Sequence, residues 1–71
     1  MNSDVRKRSV DISGHRTSVS VEEPFWDALQ DIAAREKKSV NELIAAIDRT
    51  RSGNLSSAIR LFVLKDLQNR A

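Results

Sequence analysis

Three hydrogen-bonding side chains alternate along one short segment of the chain. Arg16, Ser18 and Ser20 are separated by Thr17 and Val19, so an extended backbone would point the three polar side chains to one side. An arginine there can donate two hydrogen bonds to a guanine edge, and a serine hydroxyl can donate or accept, which suits several bases. The alternative is the solvated side of a half-buried strand, and the alternation taken alone favours that alternative.

A second polar feature marks the start of a helix. Ser39 is followed three residues later by Glu42, which is the spacing of a capping box, and two lysines precede it. The first amides of a helix have no partner within the helix, so such a start attracts phosphate. Ser39 is an ordinary helix cap in either case, and the two interpretations are compatible. The phosphate contacts predicted at this helix start are Lys37, Lys38, Ser39, Val40 and Asn41.

Few other side chains suggest chemistry. The chain has one histidine and no cysteine, so disulfides and thiolate metal sites are excluded, and His15 has no second ligand nearby. No Ser-His-Asp set and no glycine-rich phosphate loop is present. Trp26, next to Phe25, fits packing on an amphipathic helix better than a stacking platform for bases. We therefore expect no enzyme activity, no metal and no cofactor.

One strand must position the alternating row. Period-two alternation with β-branched residues predicts a strand from near His15 to Val21. A hairpin turning at Ser13 and Gly14 is the less favoured alternative. Because a lone strand leaves its N–H and C=O groups unpaired, we expect a second copy of the chain to pair with it antiparallel about a two-fold axis.

Three helices are predicted after the strand. The first begins near Glu22 or Glu23 with Pro24 in its first turn, where a missing N–H costs nothing. The second follows Ser39, and the third follows Asn54, which can cap it. Each helix carries apolar residues at helical spacing.

The chain is short, and its positive charge is uneven. At 71 residues it forms at most one domain, and a domain of this size without disulfide or metal usually relies on oligomerisation. The net charge of +2 arises within residues 1–20. This predicts a flexible basic arm over residues 1–8, with phosphate contacts from Arg6, Lys7 and Arg8, ahead of a domain over residues 9–71. The alternative for the arm is a solvated tail.

No apolar run approaches the ~20 residues that a bilayer requires, and no apolar stretch follows the N-terminal charges as in a secretory signal. We therefore expect a cytoplasmic protein with no membrane contact.

The stretch from Thr17 to Ile44 resembles a known family. Its alternating strand, acidic and proline-bearing helix start, short turn and Ser-capped second helix resemble the ribbon-helix-helix DNA-binding proteins, within a compact bacterial subfamily of stand-alone chains. The resemblance implies a mostly α-helical fold with one β-strand, in an intertwined homodimer that shares a two-stranded antiparallel ribbon between its subunits. Lys37 stands where many members have a turn glycine.

The resemblance also implies a function. It implies a transcriptional regulator, a repressor bound to the nucleoid, whose ribbon enters the DNA major groove with base contacts from Arg16, Ser18 and Ser20. It implies a homodimer on double-stranded DNA, and we expect two or more such dimers on tandem half-sites. The dimer core that it implies consists of Val19, Val21, Leu29, Ile32, Leu43, Ile44 and Ile47.

The third helix is extra to the two-helix core of that family. We expect residues 54–67 to pack over the dimer core and enlarge it. The alternative is that this helix binds another protein, as in an antitoxin or a dimeric adaptor.

Overall fold

The computed structural model describes residues 4–50 and 53–70. Two strands, β1 (Val5–Ile12) and β2 (His15–Glu22), precede three helices, α1 (Glu23–Arg35), α2 (Val40–Thr50) and α3 (Leu55–Arg70). The three helices and their starting residues agree with the prediction from the sequence. The prediction of one strand is wrong, because residues 5–12 form a second one.

The two strands form an antiparallel hairpin within one chain. The chain reverses at Ser13 and Gly14, whose φ angles are 52° and 83°. Positive φ at both central residues defines a two-residue type I′ turn, whose twist matches that of the flanking strands. The premise that β2 has no partner within its own chain is wrong, because this tight turn lets the same chain supply one, and the pairing of β2 with a second copy stays a prediction. The hairpin at Ser13 and Gly14, less favoured from the sequence, is the one that forms.

The flexible arm predicted over residues 1–8 also differs from the structure. Residues 5–8 form the first half of β1 and pair with residues 19–22 of β2. Residues 1–3 of the predicted arm lie outside the described residues. This basic segment has no apolar periodicity, and it is ordered by its pairing with β2 and by side-chain contacts with α1.

The turn between α1 and α2 depends on a left-handed residue. Lys37 has a φ of 57°, and its N–H donates to the carbonyl of Ala34 at 3.1 Å. The N–H of Lys38 donates to the carbonyl of Ala33 at 2.9 Å. These two bonds form a Schellman motif with Lys37 at the position that glycine usually occupies.

The starts of α2 and α3 follow the predicted caps. The N–H of Glu42 donates to Ser39 Oγ at 3.0 Å, and the N–H of Ser39 donates to Glu42 Oε1 at 2.9 Å. Together they form the predicted capping box. At the start of α3, the N–H of Ser57 donates to Asn54 Oδ1 at 2.9 Å.

One apolar core lies between the hairpin and the three helices. All seven residues predicted for a dimer core are buried within a single chain, and their place at a subunit interface stays a prediction. The core also includes Val10 and Ile12 from β1, Ala33 from α1, and Ile59 and Val63 from α3. The third helix is therefore an integral part of the fold of one copy. No helix among residues 4–50 and 53–70 is long and apolar enough to cross a membrane.

Candidate nucleic-acid interface

The hairpin register decides which polar side chains share a face. Cross-strand partners point to the same side of a sheet. On one side Val10 and Val19 are buried against the helices. Beyond the pair of Val5 and Glu22 at its far end, the opposite side presents three polar residues from each strand, which we call the outer face. Its pairs are Lys7 with Ser20, Ser9 with Ser18, and Asp11 with Arg16.

The outer-face pairs are non-hydrogen-bonded pairs, the kind of antiparallel pair in which the two side chains lie closer together. The N–H of Ser20 donates to Ser56 Oγ at 3.0 Å, and the carbonyl of Ser20 accepts from Arg60 Nη2 at 3.2 Å. The backbone groups of Ser20 therefore point away from β1, so Ser20 and Lys7 form a non-hydrogen-bonded pair. Because the two kinds of pair alternate along the ladder, the other two outer-face pairs are of the same kind, which brings their side chains closest together.

Arg16 projects from the outer face into solvent. Its side chain is 79% exposed, and its Nε lies 3.6 Å from Oδ1 of Asp11, whose side chain is 61% exposed. An ion pair this exposed contributes little to stability, so it restrains the guanidinium only weakly. The Arg16 guanidinium can therefore leave Asp11 to bind a stronger hydrogen-bond acceptor.

The three predicted base-contact residues are not equivalent. Arg16 and Ser18 are exposed, whereas Ser20 is half-buried because the first turn of α3 packs beside it. Ser9 is exposed opposite Ser18. The centre of the outer face therefore carries two short hydroxyl side chains, over which another surface can approach closely.

The basic residues of β1 divide between the two sides of the hairpin. Lys7 lies on the outer face, whereas Arg6 and Arg8 point toward α1. The Arg8 guanidinium lies 4.6 Å from the centre of the Trp26 ring, and its Nη2 donates to both carboxylate oxygens of Glu23 at 2.8 Å. Arg6 Nε lies 3.5 Å from Glu23 Oε2. Arg8 thus holds β1 against α1, which is a structural role that the predicted phosphate contact did not include.

The start of α2 already carries an anion. The hydrogen bond from the Ser39 backbone N–H, together with one from its side chain, lowers the pKa of Glu42 below its ordinary value, and the charge of Lys38 acts in the same direction. Lys38 Nζ also lies 3.6 Å from Glu36 Oε1. A phosphate at this helix start would meet the Glu42 carboxylate as a competitor, and the contacts predicted there stay predictions.

Two outer-face residues, Ser9 and Asp11, were missed from the sequence because β1 was missed. The signal that would have found them is the pair Ser13 and Gly14, since a two-residue turn fixes the register of both strands. Within residues 4–50 and 53–70, no hydrogen bond or ion pair joins the outer face to the start of α2. The structure does not bring the two predicted sites into contact.

Comparison with known proteins identifies the family. Residues 5–67 match the family model described as a ribbon-helix-helix domain. The chain belongs to the ribbon-helix-helix family. The match starts at the first residue of β1 and extends into α3, so both the missed strand and the third helix are part of it. Ribbon-helix-helix proteins generally bind DNA and dimerise, and they are typically not enzymes.

A solved structure supports the same fold. An uncharacterized protein from Bordetella pertussis Tohama I is similar to this ribbon-helix-helix chain, with a TM-score of 0.77 and 34% sequence identity. The similarity covers 97% of this chain and 62% of that one, so this chain spans less than two thirds of that protein's length. No curated protein matches the chain.

Proposed function

We propose that this ribbon-helix-helix protein is a sequence-specific DNA-binding regulator of transcription, a repressor, that inserts its β-ribbon into the major groove. The observation that carries the proposal is the outer face, where Arg16 and Ser18 are exposed beside short cross-strand partners. Under this proposal the protein acts in the cytoplasm, on the nucleoid.

The shape of the hairpin suits a groove. The major groove is about 12 Å wide and admits a two-stranded ribbon. Each strand of the hairpin has eight residues, which corresponds to roughly 26 Å at the usual rise per residue. Arg16 can donate to guanine O6 and N7, and the hydroxyls of Ser18 and Ser20 can donate to or accept from several bases.

Phosphate contacts would fix the position of the ribbon on the duplex. Lys7 is exposed on the outer face, and Lys37 and Lys38 are exposed before α2. Val40 and Asn41 bring the first amides of α2, which together with the helix dipole favour an anion. Neutralising several phosphates in this way makes the affinity fall with salt.

Two copies acting together belong to the proposal. The N–H and C=O groups of Ser20 point away from β1 and already bond with α3. A second copy that paired along this edge of β2 would therefore find unpaired backbone groups only at residues nearer the turn. Because β1 already completes the ribbon in each copy, dimers would place two complete hairpins on tandem half-sites rather than build one ribbon from two chains.

The deciding experiment is selection of binding sites from random double-stranded DNA at physiological salt. Replacing Arg16 with alanine should cost ~1–3 kcal/mol on the selected site and relax the preference at one base position. Arg70→Ala is the matched control, because Arg70 is an exposed arginine at the end of α3 and lies outside the residues proposed to contact DNA. Affinity and base preference unchanged in Arg16→Ala would exclude Arg16 from base reading.

A protein-binding role for residues 54–67 is the second candidate. Three leucines of α3 are exposed, namely Leu61 at 58%, Leu64 at 46% and Leu67 at 48%. This surface favours an antitoxin or a dimeric adaptor. A gel shift with the protein's own promoter region separates the proposed regulator from a protein-binding module without DNA contact, since such a module gives no shifted band.

A further inference from the structure

Asp11 is an unexpected residue on a face proposed to meet a polyanion. Its carboxylate shares the outer face with Arg16, at 3.6 Å, and both side chains are mostly exposed. So exposed a pair stabilises the fold little. Folding alone therefore does not explain an acidic side chain at this position.

The charge of the ribbon surface makes the same point. On this side of the hairpin, Asp11 offsets one of the two exposed cations, Lys7 and Arg16, while Glu22, the last residue of β2, is already paired with Arg60 of α3 at 2.8 Å. A surface with so small an excess of positive charge gains less from the sequence-independent attraction of phosphates than one without the carboxylate would. It depends instead on hydrogen bonds to particular base edges.

The spacing places Asp11 beside the proposed reading residues. The pair of Asp11 and Arg16 is a non-hydrogen-bonded pair by the alternation that Ser20 establishes, so the two side chains stand close together. An arginine donates to guanine, and a carboxylate accepts from the amino group of cytosine N4. Together the two side chains complement a guanine and a cytosine in adjoining positions of the major groove.

We propose that β1 supplies a second row of DNA-reading residues, Lys7, Ser9 and Asp11, and that Asp11 determines specificity by accepting from a cytosine and by repelling DNA of other sequences. The inference rests on the proposed function, because it assumes that the outer face enters the groove. It gives the outer face one row of reading residues from each strand of the hairpin.

Asp11→Asn tests the proposal, since it removes the charge and keeps the shape. On the site selected by the wild type, the variant should lose on the order of ten-fold in discrimination against replacement of the cytosine. On DNA of unrelated sequence it should bind more tightly, with a log–log salt slope steeper by up to about one. Asp31→Asn, an equal charge change at an exposed position of α1, should do neither.

Asp11→Glu separates charge from position. It keeps the repulsion, so its affinity for unrelated DNA should stay at the wild-type value, while the displaced carboxylate alters the preference at the cytosine. Far-ultraviolet circular dichroism and thermal melting check that both variants keep the fold.

The outcomes distinguish this inference from the proposed function. If Asp11→Asn selects the wild-type sequence with the wild-type salt slope while Arg16→Ala loses it, Asp11 has no reading role and the ribbon still reads DNA through β2. If the wild type selects no sequence from random DNA, both proposals fail. Loss of discrimination in Asp11→Asn, with Asp31→Asn unchanged, supports the second row.

Discussion

Lys37 combines a strained backbone with a proposed phosphate contact. Its φ of 57° is disfavoured for a residue with a Cβ, and the Schellman turn requires that conformation. The family resemblance points to the same position, because many relatives have glycine at this turn. A lysine there adds a positive charge next to the start of α2. Under the proposed function this charge serves a phosphate contact rather than the stability of the fold.

Lys37→Gly should therefore raise stability and weaken DNA binding. Relief of the left-handed strain, less the greater entropy of glycine in the unfolded chain, should add about 0.5–1 kcal/mol to the free energy of unfolding. Loss of the cation should flatten the log–log salt slope of DNA binding by about one. Urea unfolding and binding titrations at several salt concentrations measure the two effects.

Lys65→Ala is the charge control for this experiment, since Lys65 is exposed on α3. A salt slope identical in Lys37→Gly and the wild type would remove Lys37 from the phosphate contacts. Unfolding at lower urea than the wild type would contradict the strain argument.

At the scale of elements, a few polar contacts attach α3 to the hairpin. Arg60 Nε donates to Glu22 Oε1 at 2.8 Å, and its Nη2 donates to the carbonyl of Ser20 at 3.2 Å. Ser56 accepts from the amide of Ser20. These contacts satisfy edge groups of β2 that would otherwise be unpaired, so α3 both enlarges the core and closes part of a strand edge.

The contact between α3 and β2 should make stability depend on acid pH. The hydrogen bond from Arg60 lowers the pKa of Glu22 below its ordinary value of 4.5. The Glu22 carboxylate therefore stabilises the fold at pH values above 4.5, and this contribution is lost as the pH falls through the lowered value. Between about pH 6 and pH 3, the urea midpoint should fall less in Glu22→Gln than in the wild type.

Arg60→Ala supplies the control for that pH dependence. In the Arg60→Ala background, Glu22→Gln should change the pH slope much less than it does in the wild type, because the main cause of the lowered pKa is gone. An equal effect of Glu22→Gln in both backgrounds would show that Arg60 is not the cause. The pKa of Glu42, lowered by Ser39, gives a second, independent contribution with the same sign.

At the scale of the whole molecule, one chain encloses a core while leaving apolar surface uncovered. Val19, Ile44 and Ile59, from three different elements, are fully buried in a single copy. The leucines of α3 that face outward remain exposed, as does half of Val5. A 71-residue domain is marginal in size, so association is the expected way to cover this surface.

Size-exclusion chromatography with light scattering should find a dimer at micromolar concentration, with twice the 8.0 kDa mass of one chain. The physical reason is burial of apolar surface that one copy cannot cover. Variants in which Leu61 and Leu64 are replaced by serine leave the core residues of α3 unchanged and test whether this helix takes part. A wild-type monomer at that concentration would contradict the dimer, and with it the pairing of hairpins on tandem half-sites.

Helix starts and the helix turn were predictable because their signals are local. The capping box of Ser39 and Glu42, the cap at Asn54 and the strained position of Lys37 all depend on hydrogen bonds within about five residues along the chain. The alternation that placed Arg16 and Ser18 on a solvent-facing side is local too. The helices, the family resemblance and one row of the outer face could therefore be predicted from the amino-acid sequence.

The sequence left a single strand and a hairpin at Ser13 and Gly14 as alternatives, and the folded chain settled that choice, together with the residues that face Arg16 and Ser18 and the packing of α3. Strand pairing joins residues that are distant along the chain, and β1 begins with basic residues whose order depends on Glu23 and Trp26 of α1. The sequence of residues 5–8 does not indicate which residues of β2 and α1 it contacts. A helix start has its hydrogen-bond partners a few residues away and is visible in its own sequence, whereas a strand with distant partners becomes visible only when the chain is folded.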